Sequence, residues 1–416
     1  MKIWLLQTGE QLPIGQGARK LRTELLAEKL IERGHTVTWW TSCFDHLRKK
    51  WYFDHDTIVT ASPSLTIHAL KGMAYRRNFS LARFLDHRII ARKFNRLIKT
   101  YEKPDLIVAS LPAHDLADKA VGYARYWGIP IVIDVRDKWP HNFVDIAPNA
   151  LKWIARIVLS SDFRMTYRAL SKATAITSMT SPLLEWGLHN GSRERGPFDR
   201  VFYLGTYREK LRIISPDLDA LITTRLKGKF VVTFVGTFST YHNPEIVISI
   251  AEKLAHITGI VFVLAGDGDL RDSLQRRAAN LNNVIFTGWL DSAGISAVLR
   301  SSHLGLCTTG KHSERFFLPN KVFTYLSEGV PIASIFDGEL REIIKEKVIG
   351  FNYDCDEELA SGIRNIFADK DLHHKMSVNA KCFFELECDS NKIYDNYAVN
   401  LENIFLQSPN NFVPNK

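Results

Sequence analysis

A chain of 416 residues, 45% hydrophobic and 24% charged, is long enough for two or three domains with cores of their own, which excludes a largely disordered, collagen-like or low-complexity protein. Its net charge of +9 is unevenly placed: residues 1–200 hold 31 Lys+Arg against 19 Asp+Glu, residues 201–416 hold 23 against 26, and residues 71–103 alone carry ten basic and two acidic residues. Such a split predicts two domains with different partners, the basic one favouring anionic lipid, a phosphate-bearing substrate or nucleic acid.

Residues 2–6 (KIWLL) read as a buried strand. Residues 19–33 read as a helix, with Leu21, Leu25, Leu26, Leu30 and Ile31 on one stripe and Gly34 as its stop. Strands follow at 37–41 and 65–70, a basic helix at 80–99, a strand at 105–110, a helix at 114–127 and a strand at 130–135. A long helix is expected at about 149–170, then strands at 174–177 and 201–204. After a looser stretch near 205–228 the alternation restarts, with strands at 230–236, 260–266, 283–288, 304–308, 331–335 and 350–353. Helices are expected at 244–257, 269–280, 291–300, 320–328 and 338–346, and onward to about 406. Short apolar strands alternating with amphipathic helices predict an α/β chain of two doubly wound parallel sheets. Ligands of such sheets bind beyond the carboxyl ends of the strands, here expected in a cleft between the domains.

Five scattered cysteines with no CxxC pair predict reduced thiols and no structural zinc. No apolar run reaches about 18 residues, and residues 3–6 are too short for the core of a signal peptide, so a cytoplasmic protein is expected. GQGARK (15–20) lacks the third glycine of a dinucleotide fingerprint. Asp267 and Asp269 follow an apolar strand. They read as a cap for the helix from Leu270, with a metal pair as the alternative.

The second half carries FVGTFSTYHNPEI (234–246), VFVLAGDGDLRDSL (261–274), NVIFTGWLDSAGISAVLRSSHLGL (283–306), LPNKVFTYLSEGVPIAS (318–334) and FDGELREII (336–344). In that order and spacing the set resembles the donor-binding domain of glycosyltransferase family 4, the retaining GT-B enzymes. In the first half, VIDVRDKWP (132–140) and WGLHNGSRERGPFDRVFYLGT (186–206), together with the amino-terminal segment, are similar to bacterial polysaccharide-assembly members of that family. The resemblance implies two Rossmann-like domains facing a cleft: an acceptor-binding domain at 1–205, a linker at 206–228 and a nucleotide-sugar-binding domain at 229–387. A carboxy-terminal helix and tail at 388–416 would cross back to the first domain. It further implies a UDP-type nucleotide-sugar donor, a lipid-diphosphate-linked glycan acceptor, no cofactor and no obligatory metal. Nucleic-acid binding is not expected, because no zinc finger, helix-turn-helix or ribonucleoprotein motif is present. An inactive scaffold of this fold and a sugar-nucleotide epimerase are the alternatives.

Donor-binding candidates are Gly236, Thr237, Gly266, Gly288, Asn320, Lys321 and Thr324. Lys321, at a helix start after Pro319–Asn320, would add its charge to a helix N-terminus that already favours a diphosphate. Family members place glutamates at the positions of Phe316 and Thr324; neither acid is present here. Glu328, one turn beyond Thr324, is expected at the surface. Asp137, just past a strand end, and His114 are candidates for the catalytic or acceptor-orienting role, and Arg19 and Arg22 for an acceptor phosphate. The basic, apolar segments 80–99 and 150–170 could lie on an anionic membrane, so a peripheral position on the inner face of the cell membrane is expected.

Overall fold

The computed structural model describes residues 1–14, 20–77, 80–208, 212–310, 316 and 318–408. The chain divides into two compact units, Met1–Tyr203 with Tyr394–Lys416, and Leu204–Ile393.

The first unit contains β1 (Lys2–Leu6), β2 (Thr36–Ser42), a small hairpin of β3 (Phe44–Asp45) and β4 (Lys50–Trp51), β5 (Thr57–Ser62), β6 (Leu65–Leu70), β7 (Leu106–Leu111), β8 (Ile131–Val135), β9 (Ala175–Ser178) and β10 (Arg200–Val201). Its sheet runs β10-β9-β8-β7-β1-β2-β6-β5, parallel except where β5 meets β6. β7 and β8 are buried along their whole length, as mainly apolar strands covered on both faces are, with Ser110 and Asp134 as their buried polar positions. β5 is a polar edge strand with alternating exposure, so no apolar run betrays it in the sequence. The single helix expected at 149–170 is broken. A 3₁₀ turn Asn149–Leu151 and a helix Lys152–Val158 are followed by a separate helix Ser160–Lys172, restarted by Ser160, Ser161 and Asp162, which favour a helix beginning.

The second unit contains β11 (Phe230–Val235), β12 (Ile260–Ala265), β13 (Val284–Gly288), β14 (Leu304–Cys307), β15 (Ile332–Ser334) and β16 (Gly350–Asn352), all parallel, in the order β13-β12-β11-β14-β15-β16. The order reverses between β11 and β14, which makes their carboxyl ends the switch point where doubly wound sheets take ligands. One face packs Phe230, Val232, Phe234 and Phe262 against Val247, Ile250, Leu359 and Ile363. The other packs Val231, Val263 and Val298 against Leu218 and Leu226. Leu218 and Leu226 belong to the 206–228 stretch expected as a linker. That stretch carries helical turns Pro216–Leu221 and Ile222–Leu226, and burying its two leucines makes it part of the second core.

Candidate functional site

At the switch point of the second unit, β11 and β14 pair only through Val232–Leu304 and Thr233–Gly305, then splay. The gap is wedged by Tyr325, whose hydroxyl accepts from the Val235 N–H at 2.9 Å and donates to the Leu306 carbonyl at 3.1 Å. Its ring lies on Gly305, where a Cβ would stand 2.5 Å from the Tyr325 Cγ, so only glycine admits it. Tyr325 sits on helix Asn320–Ser327, and the wedge therefore fixes where that helix begins. No side chain caps this start, so its first N–H groups are not taken up by a cap.

One turn before Tyr325 the same helix presents Lys321. Its Nζ is buried with no hydrogen-bond partner among the described residues, 4.1 Å from the centroid of the Phe234 ring. It lies 3.2 Å from where a Cβ on Gly236 would be. Burial pushes the ammonium down to about 8, with only the Cys307 thiol opposing that shift. A buried cation without an acceptor costs free energy that an arriving anion recovers. Gly236 and Gly266 close the approach: the Gly236 N–H donates to Ala265 O at 3.0 Å, and a Cβ on Gly266 would stand 1.9 Å from Gly236 O. Gly266 in turn donates to Gly288 O at 2.9 Å, at the end of β13. Four of the donor candidates, Gly236, Gly266, Gly288 and Lys321, thus follow the ends of adjacent strands or the helix start beside them. Thr237, in the loop after β11, and Asn320, at the helix start, are exposed. Thr324 is half-buried, its hydroxyl turned back to the Asn320 carbonyl at 3.4 Å.

Cavities of this unit include two that bear on the site's position. One of about 490 Å³, beyond the ends of β14 and β15, is lined by Asn243, Thr309, Gly310, Ile335, Asp354 and Cys355. The larger, about 890 Å³, lies at the opposite end of the strands, around Phe230 and His303 at the starts of β11 and β14. Volume does not pick out the switch point; the orphaned ammonium does.

In the first unit, Asp137 follows β8 and is half-buried. Its Oδ1 accepts from the Lys138 N–H at 2.8 Å and from the Asn142 amide. Burial raises its carboxyl, while the Lys138 N–H, Asn142 and the charge of Arg83 oppose the rise. Arg83 is itself buried, its guanidinium 4.3 Å from the Trp139 ring, so it does not belong to the solvent-facing basic surface expected for 80–99. Around it lie Tyr75 and His46, joined by a 2.7 Å hydrogen bond. Desolvation holds His46 down to about 4 and lifts the buried Asp86 carboxyl to about 7. Tyr75 and Asp86 escaped the sequence reading, and Arg83 was read as part of the basic surface, because Arg83 and Asp86 look like ordinary polar positions of an amphipathic helix. Their only signal is their place just after β6.

Several expectations are overturned. Arg22 does not face a phosphate: its side chain is 1% exposed and forms a two-pronged pair with Asp134, both contacts at 2.9 Å, while Nη1 donates to Phe202 O at 2.6 Å. Arg19 and most of GQGARK lie outside the described residues. His114 is fully buried, with Nε2 2.9 Å from Asp162 and Nδ1 3.1 Å from the Pro112 carbonyl. Both ring nitrogens are occupied, so no atom of it reaches an acceptor. With Asp115 and Asp162 it forms the one group among the described residues whose atoms could hold a metal ion. Arg88, 3.4 Å from Asp162, supplies positive charge there instead. Glu328 is not at the surface. Its side chain is 3% exposed and pairs with Arg300 and Ser296. Asp267 and Asp269 do not cap a helix: the helix Arg271–Arg277 has no side-chain cap, and Asp267 pairs with Arg271 at 2.9 Å.

Residues 222–383 match the family model of glycosyl transferases group 1. A UDP-glycosyltransferase of Arabidopsis thaliana, TURAN, is 27% identical over 121 residues, which are 28% of this chain and 26% of that protein; the match spans only about a quarter of that relative's length. The Anabaena protein Alr3699/HepE, solved in complex with UDP, superposes with a TM-score of 0.67 at 16% identity over 97% of this chain and 100% of its own. WaaG, a glycosyltransferase involved in lipopolysaccharide biosynthesis, superposes with a TM-score of 0.61 at 13% identity over 96% and 99%. The chain therefore has the GT-B fold of two Rossmann-like α/β units, and its second unit carries the region that matches group 1 glycosyl transferases.

Proposed function

We propose that the protein is a glycosyltransferase that moves a sugar, with retention, from a UDP-linked donor to a lipid-diphosphate-linked glycan during surface polysaccharide synthesis, O-antigen or capsule. It would work at the inner face of the cell membrane. The observation that carries this reading is the buried, unpartnered Lys321 ammonium at an uncapped helix start. A nucleoside diphosphate gains charge as the glycosidic bond breaks, so a fixed cation and free N–H groups bind the transition state more tightly than the ground state. The group 1 match over this unit and the UDP bound by HepE support the donor class. The lipopolysaccharide role of WaaG and the basic first half support the acceptor class. No helix among the described residues is long and apolar enough to cross a membrane, so the membrane contact proposed is peripheral. In the first unit Asp137 would orient or deprotonate the acceptor hydroxyl, with Arg83 beside it balancing the charge.

Asp137→Asn is expected to lower turnover about 10²–10⁴-fold, the usual loss on removing a general base, and to leave UDP affinity unchanged. Release of UDP from UDP-sugars, with a lipid-diphosphate glycan in vesicles as acceptor, measures it; undiminished turnover removes Asp137 from the site. An inactive scaffold is the second reading, favoured by Phe316 and Thr324 standing where the resembling family has acids. It requires UDP binding without turnover. Thr324 has room to change, being half-buried and bonded only to its own helix in the contacts described. Thr324→Glu is expected to fold and to sharpen the preference for UDP over 2′-deoxy-UDP by about 1.5–3 kcal/mol, the worth of a hydrogen bond to a charged group. Equal discrimination in both proteins would mean that position 324 does not see the ribose.

A further inference from the structure

Thirteen residues in the first unit, 146–158, break the usual rule that a helix buries one face. Helix Lys152–Val158 buries none of its residues. Ile146, Trp153, Ile157 and Val158 are each more than 60% exposed, and Leu151 and Ile154 are 48% and 40% exposed. Scattered apolar residues at a surface need no explanation, but six within thirteen positions form a patch of the kind that marks an interaction site. The segment is firmly held at both ends. At its start the His141 ring packs edge-on against Phe163 at 4.9 Å and Trp186 at 5.2 Å, and Val144 is buried. Beyond it, helix Ser160–Lys172 buries Asp162, Thr166, Ala169 and Leu170. The patch therefore projects from a rigid base.

We infer that this segment is a wedge that inserts into the interface of an anionic bilayer. The charge pattern selects that occupant. Residues 146–161 contain no Asp or Glu, and Lys152, Arg156 and the following exposed Arg164 flank the apolar side chains. Apolar insertion combined with basic flanks is how surface-lying helices hold anionic membranes, and tryptophan is favoured at that depth. The wedge begins nine residues after Asp137 in the same connection between β8 and β9, so docking it would bring the candidate acceptor site to the lipid surface. This deepens, and rests on, the reading of the acceptor as lipid-linked. It also shifts the principal anchor away from 80–99, where Arg83 is buried and Lys93 is paired with Asp56 at 2.7 Å.

The two anchors differ in their response to salt. Attraction through charge decays over about 8 Å at physiological ionic strength and about 3 Å at 1 M, whereas apolar insertion does not decay with salt. Co-sedimentation of the full chain with vesicles of phosphatidylglycerol and phosphatidylcholine tests this, at 0.1 M and 1 M NaCl. The protein is expected to pellet at both, with part of the binding surviving 1 M. Trp153→Ser/Ile157→Ser/Val158→Ser is expected to lose at least tenfold in vesicle affinity and the whole salt-resistant fraction. Arg92→Gln/Arg96→Gln is expected to lose only the salt-sensitive part. UDP titrations of the same preparations separate this inference from the donor reading: the triple variant keeps the parent's UDP affinity, and vesicle binding without UDP binding supports the wedge while removing the donor. A triple variant that pellets like the parent, or a parent that ignores these vesicles at both salts, overturns the wedge. So does a parent that is dimeric in solution, ignores vesicles, and becomes monomeric in the triple variant, because the patch would then join two copies.

Discussion

Lys321→Ala is expected to weaken UDP binding by about 1.5–3 kcal/mol, roughly 10- to 150-fold, while the fold survives. The ammonium it removes is buried and lacks a hydrogen-bond partner among the described residues, so the ligand-free protein gives up no hydrogen bond, only the contact with the Phe234 ring, and a small stability change is expected. The pH dependence follows from the same burial. Lys321 titrates at about 8 in the folded chain and at its ordinary 10.5 when unfolded. Between those values the unfolded chain holds more protons, so the stability of the free protein rises with pH across that window. A bound diphosphate favours the charged amine. UDP binding therefore takes up a proton above about pH 8 and weakens as pH rises further. Calorimetric titrations in buffers of different ionisation enthalpy detect the proton. An affinity unchanged in Lys321→Ala, or flat from pH 7 to pH 10, removes Lys321 from the site.

Arg22→Ala is expected to destabilise the first unit by about 3–5 kcal/mol, the range for breaking a buried ion pair from one side. Asp134 is fully buried. Burial alone would raise its carboxyl, but the charges of Arg22 and Arg136 outweigh that and hold it below the usual carboxylate range. Its folded value being depressed, the pair's contribution is fully present at neutral pH and is lost only as pH falls below the ordinary carboxylate range. Without Arg22, Asp134 keeps Arg136 at 2.7 Å and the Thr177 hydroxyl at 3.0 Å, while Phe202 O loses its 2.6 Å donor. Urea denaturation measures the loss. A change below about 1 kcal/mol would mean that Asp134 is satisfied without Arg22, and would reopen Arg22 to a ligand role.

Arg22 also shows where sequence reading stops. The strands β7, β8, β11 and β12 were legible because a strand covered on both faces is mostly apolar, and their parallel pairing follows from the helices between them. Arg22 falls on the polar side of its helix by periodicity, and nothing local announces a carboxylate 112 residues away. Glu328 misleads for the same reason: its partner Arg300 comes from another helix. The cluster of His46, Tyr75, Arg83 and Asp86 is assembled from the β3–β4 hairpin, the segment after β6 and the helix Leu81–Leu97, so burial, its defining property, exists only after folding. The place of Lys321 at a helix start was legible from Pro319 and Asn320, and its donor role was suggested mainly by the family resemblance. Its orphaned ammonium was not, since that depends on the Phe234 ring beneath it and on the splay that Tyr325 holds open.

The most direct measurement is thermal unfolding of the intact protein with UDP, GDP, ADP and dTDP in turn. A ligand that binds only the native state at 100 times its Kd adds about 2.7 kcal/mol. In a unit of this size that raises Tm by about 5–10 °C. UDP is expected to produce that rise, and Lys321→Ala to abolish most of it. If none of the four nucleotides shifts the transition at millimolar concentration, the second unit does not bind a nucleoside diphosphate and the glycosyltransferase reading fails.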